Sequence, residues 1–304
     1  LFDPLAVTFI FAVDMKKTFF FILVTWLLAC KPQEKQNRDD YLSVDEYSKV
    51  LDTLQVDEAS NRYAIEIFED RVDTESAAGS DSAFFVFLQF QDSLIARLNE
   101  RLFANPNYEE INSLAWADTS VHSSEGKTFK KFLIENGLRL AASEGMVFIT
   151  RQMDPLEDSF YPYLSDAGQD FFIQFAHESD HRFSEDAAMV IPVKSLADRL
   201  AFWEGFTEEH PTSIFTPYAQ QQFEKYRYFL LVGLNNTPAF DYELKKIDRE
   251  FLNAYLYFVK KYPEANSAGI IKDYLELLEK TDFKRNDEVN LFVQQYNIFR
   301  NTDQ

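Results

Sequence analysis

The segment 177–181 reads His-Glu-Ser-Asp-His and satisfies the pattern H-E-x-x-H. Two histidines spaced i and i+4 lie on one face of a helix and can bind the same Zn²⁺, while the adjacent glutamate can take a proton from the metal-bound water. Glu204, on the next predicted helix, could supply a third ligand. On this hypothesis Glu178 is the catalytic residue of a zinc-dependent metalloprotease or hydrolase, and His177, His181 and Glu204 bind the metal.

The residues around this motif favour a different interpretation. Helices that carry H-E-x-x-H in zinc enzymes lie beneath the active-site cleft, and their middle and flanking positions are largely uncharged. Here Asp180 and Arg182 are charged, and no Gly-x-x-His extension follows. The predicted core stripe runs through Phe172, Phe175, Ala176, Ser179 and Phe183. This stripe places Glu178 and Arg182 on an exposed, solvated face, so we assign no catalytic or metal-binding residue and expect no cofactor, with zinc as the alternative.

Other chemistry-bearing residues have structural explanations. The sequence contains no Gly-x-Ser-x-Gly segment and no glycine-rich phosphate loop. His122 lies in a serine-rich loop, and His210 lies at a predicted helix end, where an imidazole can meet free carbonyl groups. The segment 235–241 is interpreted as a helix-terminating turn, and the alternative is a loop that shapes a ligand site.

The single cysteine, Cys30, follows a typical export signal. From Met15 the chain has a short basic head with Lys16 and Lys17, then about ten apolar residues, then the small residue Ala29. The apolar run is too short for a stable membrane-spanning helix, which needs about 20 residues. We therefore predict a secretory signal over residues 15–29, and we interpret residues 1–14 as upstream sequence translated from an early start.

The residues at the cleavage point read Leu27-Leu28-Ala29-Cys30. They resemble the lipobox of bacterial lipoproteins, in which the cysteine thiol is diacylated and the cysteine becomes the new N-terminus. The resemblance covers only the signal. It implies that Cys30 is the lipid anchor and that the protein is attached to a membrane of the cell envelope, because several acyl chains on one residue make a stable anchor.

A polar tether follows the cysteine. Residues 31–40 contain no aliphatic or aromatic side chain, so residues 30–42 are predicted to be a lipidated, flexible spacer. Lys31, rather than an aspartate, follows Cys30. By resemblance to Gram-negative sorting rules this favours the outer membrane, with the domain facing the periplasm or the cell surface.

The net charge of the 304-residue chain is −20. Such a surface repels nucleic acid, which carries the same sign, so no nucleic-acid partner is expected. A high negative charge suits a protein that stays dispersed in solution or one that meets a basic partner.

Residues 43–304 are predicted to form a single, mainly α-helical domain. Only 8 glycines are present, which disfavours many-stranded β folds. The segment 43–136 reads as N-terminal helices, with a capping box at Ser43–Glu46, an ambiguous segment at 61–72, a loop at 74–82 and a long helix over 82–103. One small β-hairpin is predicted over 138–150. Further helices are predicted over 155–163, 166–182, 193–209, 215–232, 247–261, 268–280 and 286–299.

A weak internal repeat joins the later helices. Phe206 and Pro211 recur as Phe258 and Pro263, and each proline is predicted to end one helix before another begins. These joints loosely resemble those of tetratricopeptide-like helical-hairpin proteins, although the spacing is longer than the standard repeat and only two copies occur. The resemblance implies paired helical hairpins, with Phe206 and Phe258 buried in the seams.

Two functions follow from these observations. The first is a non-enzymatic, membrane-anchored module that binds a protein or peptide partner, which is suggested by the anchor, the tether and the helical hairpins. The alternative is the extracytoplasmic zinc hydrolase built on His177, Glu178 and His181.

Overall fold

The computed structural model describes residues 41–116 and 124–298, and this part of the chain is mainly helical, as predicted. The first group of helices comprises α1 (Val44–Thr53), α2 (Ala59–Arg71), α3 (Ala77–Phe103), α4 (Tyr108–Trp116) and α5 (Ser124–Glu135). The second group comprises α6 (Asp154–Phe160), α7 (Asp166–Asp180), α8 (Val193–Glu209), α9 (Thr216–Val232), α10 (Arg249–Lys261), α11 (Asn266–Lys280) and α12 (Asp287–Gln294). A short 3₁₀ helix, Tyr161–Tyr163, follows α6.

The β-hairpin lies where the sequence predicts it. Strands β1 (Leu138–Ser143) and β2 (Met146–Arg151) pair antiparallel. Asn99 of α3 holds the hairpin, because its side-chain amide donates to the carbonyl of Ile149 at 2.9 Å and accepts from the N–H of the same residue at 2.7 Å. The ribbon therefore rests on a helix, as a two-stranded sheet must to be stable.

Two shorter ribbons occur where only loops were expected. They pair β3 (Ser184–Glu185) with β4 (Ala188–Met189), and β5 (Gly233–Leu234) with β6 (Thr237–Pro238). The turn between β3 and β4 places Asp186 and Ala187 at φ values of 48° and 52°. Left-handed turn residues are usually glycine or asparagine, so this hairpin has no clear sequence signal.

The capping box predicts the start of α1 correctly. The N–H of Glu46 donates to Ser43 Oγ at 3.3 Å, and the N–H of Ser43 donates to Glu46 Oε2 at 2.9 Å. Two free N–H groups of the first turn are thereby satisfied. The cap orients α1 so that Tyr47 and Leu51 are buried.

The structure assigns a helix to one N-terminal segment that the sequence left ambiguous, and it corrects the prediction for another. The ambiguous segment 61–72 lies in α2, since Ile65 and Phe68 share a buried helical face while Tyr63 is exposed. The loop predicted over 74–82 is wrong from residue 77 onwards, because α3 begins at Ala77. Ser76 caps this helix by accepting from the N–H of Gly79 at 3.2 Å. Short polar side chains suggest a loop by composition, but a helix tolerates them where neighbouring helices approach closely.

The two proline joints have nearly the same geometry. Helices α8 and α10 end two residues before Pro211 and Pro263, and the residues that cap them have φ values of −123° in both cases. Phe206 and Phe258 are both buried, as predicted. Helix α8 packs against both α9 and α10, and α10 packs against α11, so the joints connect neighbouring helices.

The cap residue of each joint contacts an earlier helix. The ring of His210 packs on Phe206, and its Nε2 lies 3.3 Å from Asp170 Oδ2 of α7. Tyr262 at the second joint donates its hydroxyl to Asp198 Oδ1 of α8 at 2.6 Å. His210 therefore meets a carboxylate rather than the free carbonyl groups expected from the sequence.

In the described ranges, no helix is both long and apolar enough to cross a membrane. The predicted signal, Cys30 and the tether up to residue 40 lie outside the described residues, as does His122.

We expect Phe258→Ala to destabilise the fold by about 3–5 kcal/mol, since it empties a fully buried aromatic site at the second joint. The matched control is Leu256→Ala on the same helix, whose side chain is 54% exposed and whose loss should change stability by about 0.5 kcal/mol or less. Urea unfolding of both variants measures the difference. Equal losses would contradict the burial of Phe258 in the seam.

Candidate functional site

The H-E-x-x-H segment occupies the last turn of α7. The helix begins at Ser165, whose Oγ accepts from the N–H of Gly168 at 3.1 Å, and Asp81 of α3 accepts from both the N–H and the hydroxyl of Ser165. The helix ends at Asp180, so His181 is the capping residue, with φ −121° and ψ 73°. Four of the five motif residues are therefore helical, and the last one turns away.

The two histidines lie together. Their rings are stacked, with centroids 4.8 Å apart and planes 26° from parallel. Nδ1 of His181 lies 3.0 Å from the carbonyl oxygen of His177, which also accepts from the N–H of His181. The pKa of His177 lies below its usual value, chiefly because the ring is partly buried, with the charges of His181 and Arg199 adding to the effect.

The prediction that Glu178 lies on an exposed face is wrong. Only 10% of its side chain is exposed, and the carboxylate points towards α8 and α9. Oε1 accepts from Trp203 Nε1 at 2.7 Å and from Gln174 Nε2 at 2.6 Å. Oε2 accepts from the hydroxyl of Tyr226 and lies 3.9 Å from Nη1 of Arg199. Helices α8 and α9 cover the face that the periodicity of α7 alone marks as solvated.

Glu204 faces a different part of the fold. It is 3% exposed, and its Oε1 accepts from the N–H of Ser267, at the start of α11, at 2.7 Å. Burial raises the pKa of this carboxyl, and the hydrogen bonds from Ser267 oppose the rise. No cluster of three or more His, Cys, Asp or Glu side chains suited to a metal ion occurs among the described residues. The residues of the zinc hypothesis are therefore not gathered in one group.

A cavity of about 280 Å³ opens beside Glu178, between the end of α7 and helices α8 and α9; we call it the α7–α9 cleft. Its aromatic lining consists of Phe175, Phe183, Tyr218 and Tyr226. Its cationic lining consists of Arg182, Arg199 and Lys225. Its remaining polar lining consists of Glu178, Ser179, Ser184 and Gln222. The lining of the cleft thus combines four aromatic rings, three cationic side chains and one carboxylate.

Lys225 is half-buried in the cleft, whereas Arg199 is buried. Its ammonium lies 4.6 Å from the ring centroid of Tyr226 and 5.3 Å from that of Phe183, and it donates to Oε1 of Gln222. Burial lowers the pKa of Lys225 to about 8; the charge of Glu178 opposes this change, and the charge of Arg199 adds to it. The ammonium group of Lys225 therefore contacts an uncharged amide and two aromatic rings, and it does not contact a carboxylate of the described residues.

Arg199 connects the cleft to the end of α7. Its side chain is 4% exposed. Nη2 donates to the carbonyl oxygen of His181, Nη1 donates to the hydroxyl of Tyr226 at 3.5 Å, and Nε has no hydrogen-bond partner among the described residues. A guanidinium near the free carbonyl groups at a helix C-terminus is favourable, because these groups carry partial negative charge.

The remaining sequence candidate, the segment 235–241, follows the end of α9 and includes strand β6. Gly233 ends α9 with φ 75°, and a side chain added there would lie 2.4 Å from the carbonyl oxygen of Thr237. The N–H of Asn236 donates to the carbonyl oxygen of Ala187 at 2.9 Å, which joins the two short ribbons. This geometry agrees with the interpretation as a helix-terminating turn.

Sequence reasoning did not find the α7–α9 cleft. Lys225 and Tyr226 lie about 45 residues after Glu178 and form no recognisable motif with it. The sequence hints at this cleft only through polar residues within the apolar pattern of α9, and such residues are weak evidence for a binding site by themselves.

Comparison with known proteins finds no matching family model, no matching curated sequence and no matching solved structure.

We expect Glu178→Ala to destabilise the fold by about 3–5 kcal/mol, because it leaves the buried Arg199 without its carboxylate. The control is Asp180→Ala in the same motif. Asp180 forms an ion pair with Arg139 in which both side chains are about 40% exposed, so its loss should cost about 1 kcal/mol or less. Chemical denaturation of the two variants distinguishes an internal role for Glu178 from the solvated role that the sequence suggests; equal losses would favour the solvated one.

Proposed function

We propose that the protein is a membrane-anchored extracytoplasmic lipoprotein whose helical domain binds a protein or peptide partner without catalysing a reaction. The binding site is the α7–α9 cleft. The proposal rests on the hydrogen bonds of Glu178, whose carboxylate is bound inside the fold by Trp203 and Tyr226. An open cleft lined by aromatic and cationic side chains lies beside it.

The geometry of Glu178 argues for binding rather than catalysis. A general base must reach the proton that it removes through a free lone pair, directly or through one water. Both oxygens of Glu178 already accept hydrogen bonds, from Trp203 and Gln174 on one side and from Tyr226 on the other. A metal-bound water would have to compete with these three donors for the carboxylate, and protonation of Glu178 would remove the negative charge beside Arg199.

The composition of the cleft suits recognition of a ligand. Binding pockets combine apolar and aromatic walls with a few well-placed polar groups, and aromatic and arginine side chains supply most of the energy at protein interfaces. The α7–α9 cleft has this combination, with Tyr218 and Phe183 on its walls and Arg182 at its edge. Arg182 is exposed, and its guanidinium lies 5.6 Å from the ring centroid of Phe148.

The membrane anchor rests on the signal and the lipobox-like residues that end at Cys30. The acylated cysteine that remains after cleavage would hold the domain at the membrane, through a tether of about ten polar residues. Lys31 after the cysteine favours the outer membrane, with the domain facing the periplasm or the cell surface.

The alternative is a zinc hydrolase, and the stacked pair His177 and His181 favours it. Two adjacent imidazoles could hold one metal ion if further ligands approached. Metal analysis of the purified protein separates the two functions. Stoichiometric zinc that is lost in His177→Ala would overturn the binding proposal, and protein free of tightly bound zinc that keeps its fold would support it.

We expect Cys30→Ser to abolish incorporation of labelled fatty acid in cells, because the thiol is the only group of the chain that the lipobox pattern would acylate. Lys31→Gln is the matched control and should remain labelled. Labelled fatty acid in Cys30→Ser would refute the lipid anchor.

The binding function can be tested by placing a photo-cross-linking amino acid at Gln222, which lines the cleft. The control position is Leu291 on α12, which is 63% exposed and outside the cleft lining. In cells, we expect one discrete adduct from position 222, lost when Lys225→Glu is added, and no such adduct from position 291. No adduct, or the same adducts from both positions, would contradict a partner in the cleft.

A further inference from the structure

The charges that line the α7–α9 cleft differ from those of the whole chain. The chain carries a net charge of −20, whereas the cleft is lined by three cationic side chains and one carboxylate. Arg199 lies near the single carboxylate, Glu178. Neither Arg182 nor Lys225 forms an ion pair with a carboxylate of the described residues. Two cations therefore remain uncompensated in a protein that is otherwise strongly acidic.

The uncompensated charge is costly where it is buried. A partly desolvated ammonium is destabilised unless an opposite charge lies close to it, because the loss of hydration is not repaid by neutral partners. Lys225 is surrounded by the rings of Phe183 and Tyr226 and by the amide of Gln222. At the floor of the cleft, Nε of the buried Arg199 has no hydrogen-bond partner among the described residues. These features indicate that the cleft attracts an anion.

The other lining groups limit the kind of anion. Glu178 and the carbonyl oxygen of His181, at the C-terminal end of α7, place negative charge at the same site, which disfavours a doubly charged group. The walls are aromatic, and a cavity of about 280 Å³ suits a small group rather than a large polyanion. A singly charged group attached to an apolar body meets both conditions.

We propose that the α7–α9 cleft binds a carboxylate carried on an apolar group. Lys225 and Arg182 contact the carboxylate, and Arg199 supplies positive potential from below. The aromatic side chains of Phe175, Phe183 and Tyr218 contact the apolar part. This inference rests on the proposed binding function and specifies its ligand chemistry: the carboxylate can belong to a peptide or to a small organic acid.

Proton linkage gives this site a characteristic pH dependence. The charged and titratable groups that face Lys225 are Glu178 of α7, Arg182 after it, Arg199 of α8, and Tyr218 and Tyr226 of its own helix. The pKa of Lys225 is about 8 in the free protein, since burial outweighs the attraction of Glu178. A bound carboxylate favours the protonated amine. At pH values where the ligand is ionised, the affinity therefore falls as the pH rises through about 8.

The test is an NMR titration that follows the indole N–H of Trp203, which donates to Glu178 at the edge of the cleft. The probes are 3-phenylpropionate, its uncharged amide and inorganic phosphate. We expect saturable shifts with 3-phenylpropionate and at least about tenfold weaker binding of the amide, which lacks a charge-assisted hydrogen bond. We expect phosphate to bind more weakly than 3-phenylpropionate. Amide binding as strong as that of the acid, or no saturable shift with any probe, would overturn the proposal.

Variants of the cations test which groups bind the anion. Lys225→Met should weaken binding of 3-phenylpropionate by about tenfold and remove the loss of affinity above pH 8. Arg182→Met, at an exposed position, should also weaken binding. Lys272→Met, at an exposed lysine of α11, is the control and should bind as the unaltered protein does. Unchanged affinity in both Lys225→Met and Arg182→Met would refute the site.

These outcomes are separable from those of the cross-linking experiment. Saturable carboxylate binding without a cross-linked partner would support the carboxylate site and contradict the protein or peptide partner. A cleft-specific adduct without carboxylate binding would support the partner and contradict the carboxylate. Phosphate binding tighter than 3-phenylpropionate would show a general oxyanion site and overturn the choice of a carboxylate.

Discussion

A buried carboxylate must collect hydrogen-bond donors from its surroundings, since an ionised group removed from water is otherwise strongly destabilised. Glu178 collects them from three helices: Gln174 of α7, Trp203 of α8 and Tyr226 of α9. Arg199 of α8 adds positive charge, with its Nη1 3.9 Å from Oε2. This requirement fixes the distance between the end of α7 and the helices that cover it. The residues around Glu178 therefore form a polar cluster that links α7 to α8 and α9.

Aromatic side chains of the core surround this polar cluster. Phe171 of α7 stacks on Phe215, with ring centroids 4.2 Å apart, and its edge meets Trp203. Trp203 thus serves both environments, because its ring packs among phenylalanines while its N–H reaches Glu178. An aromatic side chain with one polar atom is well suited to such a boundary. Phe171 also stacks on Phe175, with ring centroids 5.4 Å apart, so aromatic contacts continue along α7.

The cleft and the polar cluster share side chains, so binding and stability are coupled at this place. Arg199 contacts both Glu178 and the carbonyl oxygen of His181, and Tyr226 contributes a hydroxyl to the cluster and a ring to the cleft. A ligand that adds negative charge near Arg199 also changes the surroundings of Glu178. Sites with uncompensated charge are common where a protein binds a ligand of opposite sign, because the free protein bears the cost that the ligand removes.

Local patterns determined much of this molecule. The helical period, the capping box at Ser43 and the prolines at 211 and 263 act within a few residues, so α1, α8 and the proline joints follow from the sequence alone. The hairpin over 138–150 has a glycine in its turn and was predicted for the same reason. The predictions of an export signal and of a lipid anchor at Cys30 likewise rest on the order of residues within a short segment, 15–30.

Only the tertiary structure decided the orientation of Glu178 and the existence of the cleft. The burial of a side chain depends on what covers it, and α8 and α9 reach Glu178 from about 25 and 48 residues along the chain. The β3–β4 turn was missed for a related reason, because its left-handed residues are not glycine and are held by contacts such as that between Asp186 and Glu144. The histidine spacing correctly predicted that His177 and His181 lie close together, since i and i+4 positions neighbour each other on any helix. Whether a third group joins them, and whether the glutamate between them is free, depends on helices whose positions no local pattern specifies.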